Sequence, residues 1–144
     1  MTVELITLSR QRREPLESLP LAHVTVEAGI AGDRYKNVTL VEAEEIEAFC
    51  HEQHLPVDIT CTRRNVVTRG VSLNPLVGKE FRIGTVRLRG VELCDPCGSL
   101  GRRLATANLS ASQVVKRFMG RGGLRAEVIE GGELRVGDSL MVID

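Results

Sequence analysis

Short runs in which apolar and polar residues alternate dominate this chain. They fall at Thr2 to Ser9, Val24 to Glu27, Val38 to Val41, Asn65 to Thr68, Glu80 to Ile83, Val86 to Leu88, Val91 to Leu93, Leu124 to Ile129, Glu133 to Val136 and Ser139 to Ile143. Alternation of this kind predicts strands with one buried face. Gly70, Gly78, Gly84, Gly90, the Gly131-Gly132 pair and Gly137-Asp138 punctuate the runs as bends and turns. Two segments have a helical period instead. Glu42 to Gln53 carries Ala43, Ile46, Phe49 and Cys50 among glutamates crowded into its first turn, and Ser110 to Met119 carries Val114, Val115 and Phe118 behind a serine cap. Many short strands with about two flanking helices predict a mainly β fold built as a closed or nearly closed β-barrel. No repeat, linker or low-complexity tract interrupts the order, so residues 1–144 are expected to form a single domain.

Two loops stand out from this frame. Arg10 to Pro15 is a charged loop expected to project from the body. Ala28 to Tyr35 contains two glycines flanking Ile30-Ala31 and presents Asp33 and Arg34 from a tight turn.

Composition narrows the function. The 144 residues hold 19 basic and 19 acidic side chains, which argues against a general polyanion binder, and one Tyr with no Trp leaves no stacking platform for a single strand. Nucleic acid is therefore not the expected partner. No segment has the run of about 20 apolar residues a membrane span requires, and the start of the chain has no signal-peptide pattern, so a cytoplasmic protein is expected. In that compartment Cys50, Cys61, Cys94 and Cys97 are expected to be free thiols.

Soft nucleophilic chemistry concentrates in Cys94-Asp95-Pro96-Cys97, where a strand ends in a rigid turn. The pair is open to several readings. As zinc ligands the two sulfurs need two more, and no second C-x-x-C exists. As a thioredoxin-like couple they lack the expected βαβ setting. As a single working cysteine with a supporting neighbour, one of them carries sulfur or ligates a cofactor metal. As packed thiols they do neither. A second cluster is basic: Arg63-Arg64-Asn65 before a strand, Arg69 at its end, Arg34 in the glycine loop and Arg125 after a glycine run, a set suited to phosphate or a polar heterocycle if the strands converge it. Gly120-Arg121-Gly122-Gly123 is either an anion-binding nest or a helix stop. His23, His51 and His54 are too scattered for a histidine-metal site, and hydrolase chemistry has no support.

Taken in order, Gly29 to Arg34, Arg63-Arg64-Asn65-Val66-Val67 with Gly70 and Leu73, Leu76 to Gly84, Cys94-Asp95-Pro96-Cys97 with Leu100, and Gly122 to Val128 with Gly131-Gly132 and Val136-Gly137-Asp138 resemble a MOSC domain, the module at the C-terminus of molybdenum cofactor sulfurases. The resemblance covers about residues 24–142. It implies a β-barrel fold and a molybdenum cofactor, or molybdopterin, as the bound group. Cys97, accompanied by Cys94, is implied as the functional thiol, either a persulfide sulfur carrier or a ligand to molybdenum. Arg64 and Asn65, then Arg34, Arg63 and Arg125, are implied as cofactor-binding residues. The chain carries no counterpart of the sulfurases' pyridoxal-phosphate domain, so a separate cysteine desulfurase or redox partner is implied. Activity as a molybdenum-dependent oxidoreductase or sulfurtransferase component, and a non-catalytic delivery module for metal-sulfur cofactor assembly, both fit the resemblance.

Overall fold

The computed structural model describes residues 1–143. Its strands are β1 (Thr2–Leu8), β2 (Glu17–Ser18), β3 (Leu21–Thr25), β4 (Gly29–Ile30), β5 (Val38–Glu42), β6 (Val66–Arg69), β7 (Glu80–Ile83), β8 (Val86–Leu93), β9 (Leu124–Glu130), β10 (Gly132–Arg135) and β11 (Leu140–Ile143). The helices are α1 (Ala43–Glu52), α2 (Gly98–Leu104) and α3 (Ala111–Phe118). Eight strands form one sheet in the order β11-β7-β8-β9-β5-β6-β1-β2, and β10-β3-β4 form a second. All pairings are antiparallel except β5 with β6, which α1 joins as a crossover. No helix among the described residues is long and apolar enough to cross a membrane.

The expected closed barrel is not what forms. The two sides of the large sheet approach each other where Thr2 bridges Ser139, with the Val3 N–H donating to the Asp138 carbonyl at 2.9 Å and Leu140 N–H to Met1 at 3.1 Å. That is a lone bridge rather than a ladder. Only the first residues of β1 reach it, on the edge whose far end, Thr7 and Leu8, pairs with β2, while β6 takes the opposite edge. The outer edge of β11 is left open, with Met141 66% exposed.

Strand alternation sorts side chains into two cores. On β5, Leu40 joins the cluster inside the curled sheet while Val41 joins the one under the helices, and Val66 and Val67 divide the same way on β6. The first cluster includes Ile6, Phe81, Leu88 and Leu124. The second seats the helices, with Phe49 of α1 and Phe118 of α3 meeting edge to face at 5.0 Å.

Both expected helices form, and Ser110 caps α3 in a reciprocal capping box with Gln113. α2 was not expected. Its glycines and short length give little local signal, and tertiary contacts hold it instead. Leu100 is buried in the helical core, and Gly101 lies so close to α3 that a Cβ there would strike the Ala111 carbonyl. The two expected runs at Val86 and Val91 are a single strand, β8, with a register shift at Gly90.

Asn65 ties three strands together beneath the site described next. Its Oδ1 accepts from the Thr39 N–H at 3.0 Å and the Thr39 hydroxyl at 3.1 Å, and its Nδ2 donates to the Thr7 carbonyl at 3.2 Å. The residue is 6% exposed. Asn65→Ala strands these buried partners and is expected to lower the unfolding free energy by about 1–3 kcal/mol in urea titrations. An unchanged midpoint would show that the clamp is dispensable.

Candidate functional site

A cleft of about 660 Å³ opens where the β1–β2 loop, the loop after β4, the Thr62–Asn65 turn and α2 come together. Cys97 lines it, and so do Arg12, Arg13, Arg34, Arg63, Arg64, Arg102 and Arg103. Its one carboxylate, Asp33, is engaged in the loops. Oδ1 accepts from the Ser9 N–H at 2.8 Å and Oδ2 from the Tyr35 N–H at 3.2 Å.

The guanidinium groups near Cys97 are oriented by neutral acceptors. Arg64 Nε donates to the Gly122 carbonyl at 2.9 Å, and Arg103 Nε to the Cys61 carbonyl at 3.0 Å. One Nη of Arg63 reaches the Glu14 carbonyl at 2.6 Å and the Ser9 hydroxyl at 3.2 Å. Among the described residues none of the seven cleft arginines forms an ion pair, whereas eight of the nine others do: Arg10, Arg69, Arg82, Arg87, Arg89, Arg121, Arg125 and Arg135. A chain with no net charge has gathered an uncompensated positive field in one place.

Cys97 occupies the residue before α2 and is exposed. Its thiol is held below the usual cysteine range, first by the Leu100 N–H, then by the Ser99 N–H and the charges of Arg103 and Arg64, against partial burial that pushes the other way. Cys94 lies three residues earlier but in another environment. It is half-buried, does not line the cleft, and burial raises its thiol despite the charges of Arg64 and Arg125. The C-x-x-C pair is thus one ionisable sulfur and one quiet one. Cys50 and Cys61 are buried beneath the helices, where desolvation pushes Cys61 up to about 12.

Of the residues singled out from the sequence, Cys97, Arg34, Arg63, Arg64 and Asn65 come together in the cleft. Cys94 and Arg125 do not line it, and Arg125 instead faces Glu92 across the β8–β9 ladder at 3.0 Å. Arg69 is engaged by Glu4 and Glu47. The glycine run resolves as packing rather than a nest. A Cβ on Gly122 would run into the Cys94 carbonyl, and the glycine's own carbonyl holds Arg64. No group of three or more His, Cys, Asp or Glu residues placed to hold a metal occurs among the described residues, so the four-ligand zinc reading has no site here. Sequence reasoning missed Arg102 and Arg103, which depend on the unrecognised α2, and gave Arg12 and Arg13 no role although their loop was noted as charged.

Similar architecture occurs in solved structures. The YuaD protein from Bacillus subtilis superposes with a TM-score of 0.85 at 19% identity, covering 99% of this chain and 96% of that one. YiiM from Geobacillus stearothermophilus gives 0.73 at 13%, over 99% and 75%, and YiiM from Escherichia coli 0.74 at 17%, over 100% and 70%. At these identities the likeness speaks for the fold alone. No curated protein matches the chain. The model of the MOSC domain matches residues 27–141, from the glycine loop through Cys97 to β11, and the chain therefore belongs to the MOSC domain family.

Proposed function

We propose that this protein binds a molybdenum cofactor in the arginine cleft and uses Cys97 as its working sulfur, either to carry sulfur to the metal or to ligate it. The family is linked to molybdenum cofactor binding. The observation that carries the reading is the exposed, acidified Cys97 thiol inside a cleft whose seven arginines form no ion pair among the described residues.

The residues present fit such a group. Its terminal phosphate suits arginine forks, and its soft metal suits a thiolate. A cleft of about 660 Å³ lies within the range of small-molecule sites. When bound, the cofactor supplies redox chemistry at its metal. The chain supplies the rest. Arg63, Arg64 and Arg103 are preoriented by carbonyls and so need little reordering to meet an anion, and the charges of Arg103 and Arg64 favour the Cys97 thiolate.

As a carrier, the Cys97 thiolate attacks the outer sulfur of a persulfide, R–S–SH, on a separate cysteine desulfurase. A bond forms between Cys97 Sγ and the transferred sulfur, which keeps its proton. The donor's S–S bond breaks and its electron pair leaves on the donor thiolate, so no outside oxidant is needed. This scheme calls for a separate desulfurase or redox partner.

Cys97→Ser is expected to abolish bound molybdenum and sulfane sulfur while the thermal melt stays near that of the parent. Metal analysis and intact-mass measurement on protein purified from its own host read both. Retention of both in the variant rules out the role. A parent protein that carries neither favours a delivery module without turnover.

The thiol's acidity gives an independent check. Because its folded value is lowered, the Cys97 thiolate persists to lower pH than an ordinary cysteine's. Iodoacetamide at neutral pH should therefore modify Cys97 before Cys94, with Cys61 protected until the chain unfolds. Arg103→Ala is expected to slow Cys97 alkylation by about two- to five-fold at pH 7 by removing one neighbouring charge, and Arg103→Lys to restore most of it. Peptide mapping by mass spectrometry follows all three sites, and faster labelling of Cys94 would refute the assignment.

A further inference from the structure

The cleft holds more positive charge than a single phosphate uses. A phosphate monoester carries about two negative charges near neutral pH, against seven guanidiniums here. The seven fall into two groups along the chain. Arg63, Arg64, Arg102 and Arg103 come from the segments flanking Cys97 in the cleft. Arg12 and Arg13 come from the β1–β2 loop, and Arg34 from the loop after β4. Arg12 and Arg13 also lie outside residues 27–141, the part matched by the family.

This second group is built rather than incidental. The two loops interlock through the Ser9 N–H on Asp33 at 2.8 Å and the Arg34 N–H on the Ser9 carbonyl at 2.9 Å, and Arg63 ties the Glu14 carbonyl to the same unit. Arg13 adopts φ 68, a left-handed conformation that costs a non-glycine residue energy. Beside these charges stands the chain's one tyrosine. Tyr35 lines the cleft and is 59% exposed, with the Arg34 guanidinium 4.5 Å from its ring centroid. A large aromatic ring left that open, next to unpaired arginines, is a stacking surface beside a phosphate site.

We infer that Arg12, Arg13, Arg34 and Tyr35 form a second subsite that binds a nucleoside diphosphate, its phosphates on the arginines and its base against Tyr35. The inference rests on the reading of this cleft as the ligand site. The nucleotide has two possible sources, the tail of a dinucleotide form of the cofactor or a free nucleotide. Nucleotide released from host-purified protein in step with molybdenum identifies the first, and nucleotide without molybdenum the second.

Calorimetric titration of the full chain with GDP, pyrophosphate and inorganic phosphate tests the subsite. GDP is expected to bind at least about tenfold more tightly than inorganic phosphate, and the Arg12→Ala/Arg13→Ala double variant to weaken GDP and pyrophosphate alike by about tenfold or more. Tyr35→Ala should weaken GDP by about tenfold while leaving pyrophosphate unchanged, and Tyr35→Phe should retain the affinity of the parent. GDP binding no tighter than phosphate, or insensitive to the double variant, overturns the subsite. Pyrophosphate binding that survives beside a Tyr35→Ala variant with undiminished GDP affinity overturns the nucleotide assignment. Loss of GDP binding in a protein that still loads sulfur or molybdenum defeats this inference alone, whereas GDP binding in a protein that loads neither defeats the role of Cys97 alone.

Discussion

Like charges crowded round one sulfur are the constraint the rest of this structure serves. Eight of the nine arginines elsewhere in the chain are paired with glutamates, which fix a guanidinium and cancel its charge together. In the cleft the orienting groups are the carbonyls of Gly122, Cys61 and Glu14 and the hydroxyls of Ser9 and Ser99. A neutral acceptor fixes the fork without removing the charge, so the field remains available to an anion. Overall neutrality is therefore a poor guide to this surface. The zero net charge is a sum over a glutamate-matched exterior and an unmatched cleft.

The same field makes the two neighbouring cysteines different in kind. Cys94 follows β8 with its N–H on the Gly123 carbonyl and its thiol half-buried, whereas Cys97 precedes α2, its sulfur near two backbone N–H groups and within the field of Arg103 and Arg64. Three residues of chain separate a thiol raised by burial from one lowered by hydrogen bonds and charge. Burial decides the first and hydrogen bonding decides the second, and neither is encoded in the C-x-x-C spacing.

Much of the fold was legible because strand alternation is a local signal. Glu80–Ile83 was read residue for residue, and α1 and α3 were located within a residue or two of their ends. What escaped depends on distant contacts. α2 exists because Leu100 finds a core built by α1 and α3 and Gly101 fits against Ala111, neither of which the segment Gly98 to Leu104 announces. With α2 unseen, Arg102 and Arg103 had no address. Closure of the sheet also depends on a long-range event, and one bridge between Thr2 and Ser139 replaces the ladder that strand count suggested. The structure brings Arg64 and Cys97, each in a sequence motif, into one cleft, while Arg125, the less secure assignment, is neutralised by a cross-strand partner that only the β8–β9 register reveals.

The backbone irregularities point the same way as the charges. Three non-glycine residues among those described adopt positive φ, and two of them, Arg13 and Arg63, are cleft arginines at 68° and 60°. Left-handed backbone at a long side chain is a cost that a fold selected for stability alone would relieve with glycine. Unpaired arginines add a second cost in mutual repulsion. Both occur together in one cleft, while eight of the nine remaining arginines form ion pairs. Two local rules broken together in one cleft are the mark of a site shaped by what it binds.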